Sequence, residues 1–413
     1  MPGARFHMLK AEWAACFSAL LCLAAAPARG PGEATVTTLD TRSVSGTVTA
    51  ISADAVVVRP AAGGARKLAL GDVRSIVFAD RPAAEAMAQP GRAVLLAEDG
   101  SALALRSPAV RDGKVRAATA CAGDVAVGLD AVARLLLPRP HQTPAEVDRQ
   151  VELLKLARGS ADVLLVGAGG QWTAVRGVLD SLGGGRARLT YEDVETAMDA
   201  NTVAALVPAR VGKAPAAAEP AGHVRCTDGS RVAFASLSLA GGRVTAESAS
   251  LGRLNIDAAS VARIDFRSAR LTYLSDLAPA EARQTPFFDE QVPWQRDERA
   301  GGGGPLRLGG RGYEKGLGLH ARCELSWELG GAYRSFTAVA GIDDSVRAGA
   351  AVLTVTVDGK AAVKAVRLDR REPPQTIRID VTGVRRLTVL ADFAPGTFGS
   401  GARVDLCEAA VSK

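Results

Sequence analysis

Aromatic side chains make up only 4% of this 413-residue chain, while hydrophobic residues as a whole make up 47%. Cores must therefore be built from Val, Leu and Ala, and a surface that holds a ligand by ring stacking has few rings to use. Histidine is as scarce: of four in the chain, only His141, His223 and His320 lie beyond the N-terminal segment. No GxSxG, HExxH, Walker loop or Rossmann fingerprint occurs, so the usual nucleophile, zinc-hydrolase and nucleotide sites are not indicated. Gly167-Ala168-Gly169-Gly170 is a turn between strands rather than a phosphate cradle. Carboxylates are plentiful, but no pair stands out as a glycosidase couple. The sequence reads as non-enzymatic.

No Lys/Arg block interrupts the chain. The formal net charge of +6 is scattered over 23% charged residues, which argues against a nucleic-acid partner. After the N-terminus no apolar run is long enough to cross a membrane. The first 28 residues read as a secretory signal: Arg5 and Lys10 precede an apolar stretch from Trp13 to Ala26, with small residues up to Ala28. Export places the rest of the chain outside the cytoplasm, secreted or in the envelope. Four cysteines then remain, Cys121, Cys226, Cys323 and Cys407. The absence of CxxC spacing gives no sign of structural zinc. Cys121 and Cys226 are expected to lie buried and apart.

What is present is repetition. The element Val-x-x-Ile/Leu recurs at Val73/Ile76, Val132/Leu135, Val203/Leu206 and Val261/Ile264, each close behind Asp72, Asp130, Asn201 or Asp257. Upstream stand turn signals such as Asp99-Gly100-Ser101 and Asp228-Gly229-Ser230, then short alternating runs. The reading is all-β: four small barrel-like repeats of the Sm type, two over residues 35–140 and two over 160–268. Between the pairs, over 143–158, Thr143-Pro144-Ala145-Glu146 forms a capping box with Pro at the first helical position. It predicts a helix of about fourteen residues whose Val147, Val151 and Leu154 pack on a barrel. Residues 275–305, rich in Pro and ending in Gly301–Gly304, read as a flexible junction.

Beyond about 270 the chain resembles the NPCBM family of carbohydrate-binding modules. The resemblance rests on Leu306-Arg307-Leu308-Gly309-Gly310, Tyr313-Glu314-Lys315-Gly316-Leu317-Gly318-Leu319-His320, and Gly341-Ile342-Asp343-Asp344. Val357-Asp358-Gly359-Lys360 and Ile379 to Val384 complete it. It implies a galactose-binding-like jelly-roll β-sandwich over 270–413. The residues agree: Leu353, Val355 and Val357 form one apolar face of a strand that ends in the hairpin signal Asp358-Gly359.

The function implied is binding of a glycan or polysaccharide at the cell surface or in the envelope, without catalysis. Candidate sugar contacts are His320, Asp343, Asp344 and Asp405, with Trp327, Tyr333, Phe393 or Phe398 as candidate stacking rings. Trp327 shares a face with Leu325 and Leu329, which points to core. No cofactor is implied; a structural Ca²⁺ at Asp343-Asp344 is the one metal considered. Near the end, where the family tends to carry an Asp-Trp-Ala-Asp-Ala-like stretch, this chain reads Asp405-Leu406-Cys407-Glu408-Ala409. Sandwiches of this type often pair their first and last strands, which suggests a Cys323–Cys407 disulfide, worth ~4 kcal/mol by loop entropy. The alternative is a structural protein whose sandwich binds other envelope proteins rather than sugar.

Overall fold

The computed structural model describes residues 32–79, 81–168, 171–210, 219–286, 292–397, 399 and 401–413. The expected signal segment and Phe398 lie outside the described residues. The described residues are all-β apart from one α-helix and single 3-10 turns.

The first three repeats each have five strands hydrogen-bonded in the order fifth, first, second, third, fourth, and the fourth repeat follows the same order with its second strand broken at Ala235 into Arg231–Phe234 and Ser236–Ala240. The strands form because apolar and polar residues alternate: along Lys114–Thr119, Val115 and Ala117 point inward while Lys114 and Arg116 face water. The recurring Val opens the last strand in every repeat: Val73–Phe78, Val132–Leu136, Val203–Val207 and Val261–Phe266. A 3-10 turn precedes each one. Two of these turns are capped by aspartate, with Asp199 and Asp257 each accepting a backbone N–H at 2.9 Å.

The second residue of the motif explains the repetition. Ile76 lies opposite Ile264, and Leu135 opposite Leu206, across antiparallel pairs of these last strands. All four side chains have no exposed surface. The first repeat is thus joined to the fourth, and the second to the third, in a nested arrangement. The second and fourth are joined in turn at Ala102 and Arg231. The repeats form one continuous strand network around a shared core rather than beads along the chain.

The helix runs over Pro144–Leu153, shorter than expected. Its capping box is complete: Glu146 N–H donates to Thr143 Oγ1 at 3.2 Å, and Thr143 N–H to Glu146 Oε2 at 2.8 Å. It stops early because Lys155 takes a left-handed conformation, which turns Leu156 into the core. Val147 and Val151 pack on Val163, Ala204 and Val207 of the third repeat, whereas Leu154 is 43% exposed.

The C-terminal unit is a sandwich of two antiparallel sheets. One contains Gln295–Arg296, Gly316–His320, Arg403–Ser412, Ser335–Ile342 and Gln375–Asp380, with Leu271–Tyr273 beside Arg403–Ser412. The other contains Glu281–Gln284, Cys323–Glu328, Arg386–Phe393, Ala350–Val357 and Lys360–Asp369. Leu353, Val355, Trp327 and Phe336 meet in the core between them, with Val357 at its margin. Asp358 and Gly359, both at positive φ, make the expected two-residue hairpin.

Two expectations are corrected here. The segment 275–305 is no linker: it supplies Glu281–Gln284 to one sheet and Gln295–Arg296 to the other, and three of its glycines build a turn. The Cys323–Cys407 bridge is not formed, and both thiols are free. The first long strand does pair with the last, but Cys407 lies opposite Gly316 while Cys323 lies opposite Ala391 in the other sheet.

The sandwich docks on the first and fourth repeats through ion pairs. A bulge at Glu408, whose φ is 50°, reverses the facing of the last strand: Val404 and Leu406 point into the core before it, Ala409 and Val411 after it. Glu408 is thereby aimed outward at Arg74 (3.4 Å), Arg263 (3.0 Å) and Arg311 (3.4 Å). Arg74 also donates to the Glu408 carbonyl at 3.1 Å. Arg307–Glu85 at 2.9 Å and Arg231–Glu314 at 3.4 Å extend the contact.

Candidate functional site

The register of the last strand gathers the polar residues of the motifs at one end of its sheet. Asp405 lies between Gly318 on one side and Gly341 on the other. His320 lies opposite Arg403, and Asp343 N–H donates to the Arg403 carbonyl at 3.0 Å. The hairpin Leu306–Leu308/Arg311–Tyr313 covers the adjoining outer face, and Leu306, Leu308 and Tyr313 bury Cys407 beneath it.

Two aspartates fasten that hairpin, and a third lies beside them. Asp405 Oδ2 accepts from Arg307 N–H at 2.9 Å. Asp344 accepts from Gly309 N–H at 3.1 Å and Gly310 N–H at 2.7 Å, and pairs with Arg370 at 3.1 Å. Asp343 caps its own turn by accepting from Ser345 N–H at 2.9 Å. Asp343 and Asp405 are buried, at 1% and 0% exposure. Two carboxylates that close in the dark cannot both be charged. Burial, then the bond to Asp343 and its charge, pushes Asp405 up to about 9, while Asp343, despite its own burial, is lowered by hydrogen bonds from Asp405 and Ser345. Asp405 Oδ1 has no donor of its own; a proton on Asp405, donated to Asp343, accounts for that atom.

The structure thus brings Asp343, Asp344 and Asp405 into one constellation, with His320 on the neighbouring strand, but it buries two of the four. His320 is half-buried, with Nδ1 2.9 Å from the Ala321 carbonyl. Arg403 and Arg370, which the sequence reading passed over, share this end of the sheet. Arg403 stands two residues before Asp405 on the same face, a spacing that was available in the sequence. Of the candidate rings, Trp327 is core at 1% exposure, and Tyr333 and Phe393 are half-buried against that core. Leu406 occupies the position where the family carries Trp. It is fully buried between the sheets, so the missing ring is a matter of core packing and not of a binding face.

A cleft of about 580 Å³ lies between the second and third repeats, lined by Pro108, Pro138, Arg139, Pro140, His141 and Asn201 among others. None of its lining residues is a carboxylate. Among the described residues no helix is long and apolar enough to cross a membrane.

Fold and site define the C-terminal unit as an antiparallel two-sheet β-sandwich with a buried acidic constellation at one end. Residues 270–412 match the family model of the NPCBM/NEW2 domain, as the sequence resemblance anticipated. A protein of Renibacterium salmoninarum, whose name assigns it provisionally to the endo-alpha-N-acetylgalactosaminidases, is 37% identical over 116 residues. That is 28% of this chain, which spans only 8% of the relative's length. Among solved structures, CBM51 from Clostridium perfringens GH95 in complex with methyl-galactose is similar at 19% identity and a TM-score of 0.31, over 34% of this chain and 99% of that one. The tandem CBM51 modules of the family 98 glycoside hydrolase from Streptococcus pneumoniae are similar at 13% identity and a TM-score of 0.30, over 77% of this chain and 87% of theirs.

Proposed function

We propose that residues 270–412 bind a glycan or polysaccharide without acting on it, and that the protein works at the cell surface or in the envelope, with the repeats as its platform. The observation that carries this reading is the match of the whole sandwich to the NPCBM/NEW2 domain. The contact surface we assign is the rim formed by His320, Arg403 and Asp344, three half-buried polar side chains able to bond sugar hydroxyls. Asp343 and Asp405 lie beneath as its floor. Their adjacency speaks against glycosidase chemistry, which needs carboxyl groups about 5 Å or more apart on either side of an accessible bond. Binding should not need calcium, because the oxygens of Asp344 and Asp405 already hold backbone N–H donors.

The test is a glycan array probed with the full chain, with and without a calcium chelator. Specific binding that persists in chelator and falls in His320→Ala and Arg403→Ala is the expected result. A folded protein that binds no glycan would overturn it. The second reading, a sandwich that serves protein contacts, would then take over, and the ion-paired docking on the repeats is the observation that supports it.

A further inference from the structure

The second and fourth repeats meet about a local two-fold relation. Ala104 N–H donates to Ser230 Oγ at 3.0 Å, and Ala233 N–H donates to Ser101 Oγ at 2.9 Å. Each serine follows an aspartate that caps it: Asp99 Oδ1 accepts from Ser101 N–H at 3.0 Å, and Asp228 Oδ1 from Ser230 N–H at 2.9 Å. Position by position, Asp99 of one repeat corresponds to Asp228 of the other, and Ala97 to Cys226.

The second oxygens of these two aspartates meet different fates. Asp99 Oδ2 accepts from Ser248 Oγ at 2.6 Å and Ser250 N–H at 3.1 Å, and Asp99 N–H donates to Ser250 Oγ at 3.0 Å. On the other side, Thr119 and Cys121 stand where Ser248 and Ser250 stand. Thr119 Oγ1 donates to the Gly123 carbonyl at 3.0 Å instead of reaching the aspartate. Asp228 Oδ2 is left buried with no hydrogen-bond partner. The Asp228 carboxylate faces two thiols: Cys121 Sγ, Cys226 Sγ and one of its oxygens all lie within 4.8 Å of one another. The two cysteines, expected to be apart, are neighbours, 3% and 0% exposed.

An orphaned buried carboxylate oxygen costs about 1–3 kcal/mol or more, and a neighbouring dithiol does little to relieve it. A cation would. We propose that Cys121, Cys226 and Asp228 form a binding site for a thiophilic divalent ion of the zinc class, clamping the second repeat to the fourth. Tetrahedral thiolate and carboxylate ligands at about 2.0–2.3 Å from such an ion lie under 4 Å apart, within the span seen here. The thiolates favour zinc over calcium or magnesium. Binding exchanges protons for metal: two thiols and one divalent ion give a bis-thiolate complex and two released protons. The competing fate, oxidation by exchange with an external disulfide, would join the sulfurs and leave Asp228 Oδ2 without a partner.

The test uses the full chain, reduced and metal-free, titrated with Co²⁺. A thiolate-to-cobalt charge-transfer band that saturates near one ion per chain and is abolished by Zn²⁺ is expected, with a rise in Tm on adding Zn²⁺. The double variant Cys121→Ser/Cys226→Ala installs the residues found at the companion positions Ser250 and Ala97, so its fold is provided for. It should lose the band and bind Zn²⁺ at least a hundred-fold more weakly, while Cys323→Ser keeps both. No band from the reduced protein, a band that survives the double variant, or a Cys121–Cys226 disulfide in protein purified without reductant would each overturn the proposal.

Discussion

Replacing Glu408 by Gln removes one negative charge from among three guanidiniums and keeps the side chain's size. Burial by itself would raise this carboxyl, yet Arg74, Arg263 and Arg311 hold it at about 2 against an ordinary value of 4.5. The gap corresponds to about 3 kcal/mol of folding free energy at neutral pH. Because the native value is depressed, that stability is present above pH 4.5 and is lost as pH falls through about 2. The variant also leaves Arg74, whose side chain is 5% exposed, without its anion, which adds to the loss rather than offsetting it. Glu408→Gln should therefore lose about 3 kcal/mol at pH 7, with the deficit closing near pH 2 where the parent carboxylate is protonated. Urea unfolding followed by tryptophan fluorescence reads it, since Trp327 sits in the sandwich core and Trp172 in the third repeat. A deficit under about 0.5 kcal/mol, or one that stays constant down to pH 2, would refute the reasoning.

Three further outcomes are expected. Asp405→Asn should gain about 1 kcal/mol or more at neutral pH, because the amide donates to Asp343 without a proton having to be held; the parent's stability should fall as pH rises from 3.8 toward about 9 and the variant's should not, as thermal melts across that range would show. Gly318→Ala should be strongly destabilising, by about 2 kcal/mol or more, since its Cβ would lie 2.2 Å from the Glu298 carbonyl oxygen; a melting point equal to the parent's would contradict the packing. Leu406→Trp, which restores the ring the family carries, should overpack the core by about 1–3 kcal/mol and leave glycan binding unchanged on the array.

Much of the architecture was legible in one dimension because its causes are local. Alternation along Leu353 to Val357 announces a half-buried strand, Thr143 to Glu146 starts a helix by its own side chains, and the Val-x-x-Ile/Leu elements mark the last strand of each repeat. The motif residues of the sandwich could be gathered into one family because their order along the chain is preserved. What sequence alone could not reach depends on pairings between residues far apart. Ile76 meets Ile264 and Leu135 meets Leu206 only because the repeats nest, which no spacing encodes. Cys121 and Cys226, more than a hundred residues apart, come together because two repeats meet about a local two-fold, while Cys323 and Cys407 part because their strands lie in different sheets. Asp343 and Asp405 read alike as candidate sugar contacts; only the tertiary structure buries both and so forces one of them to keep its proton.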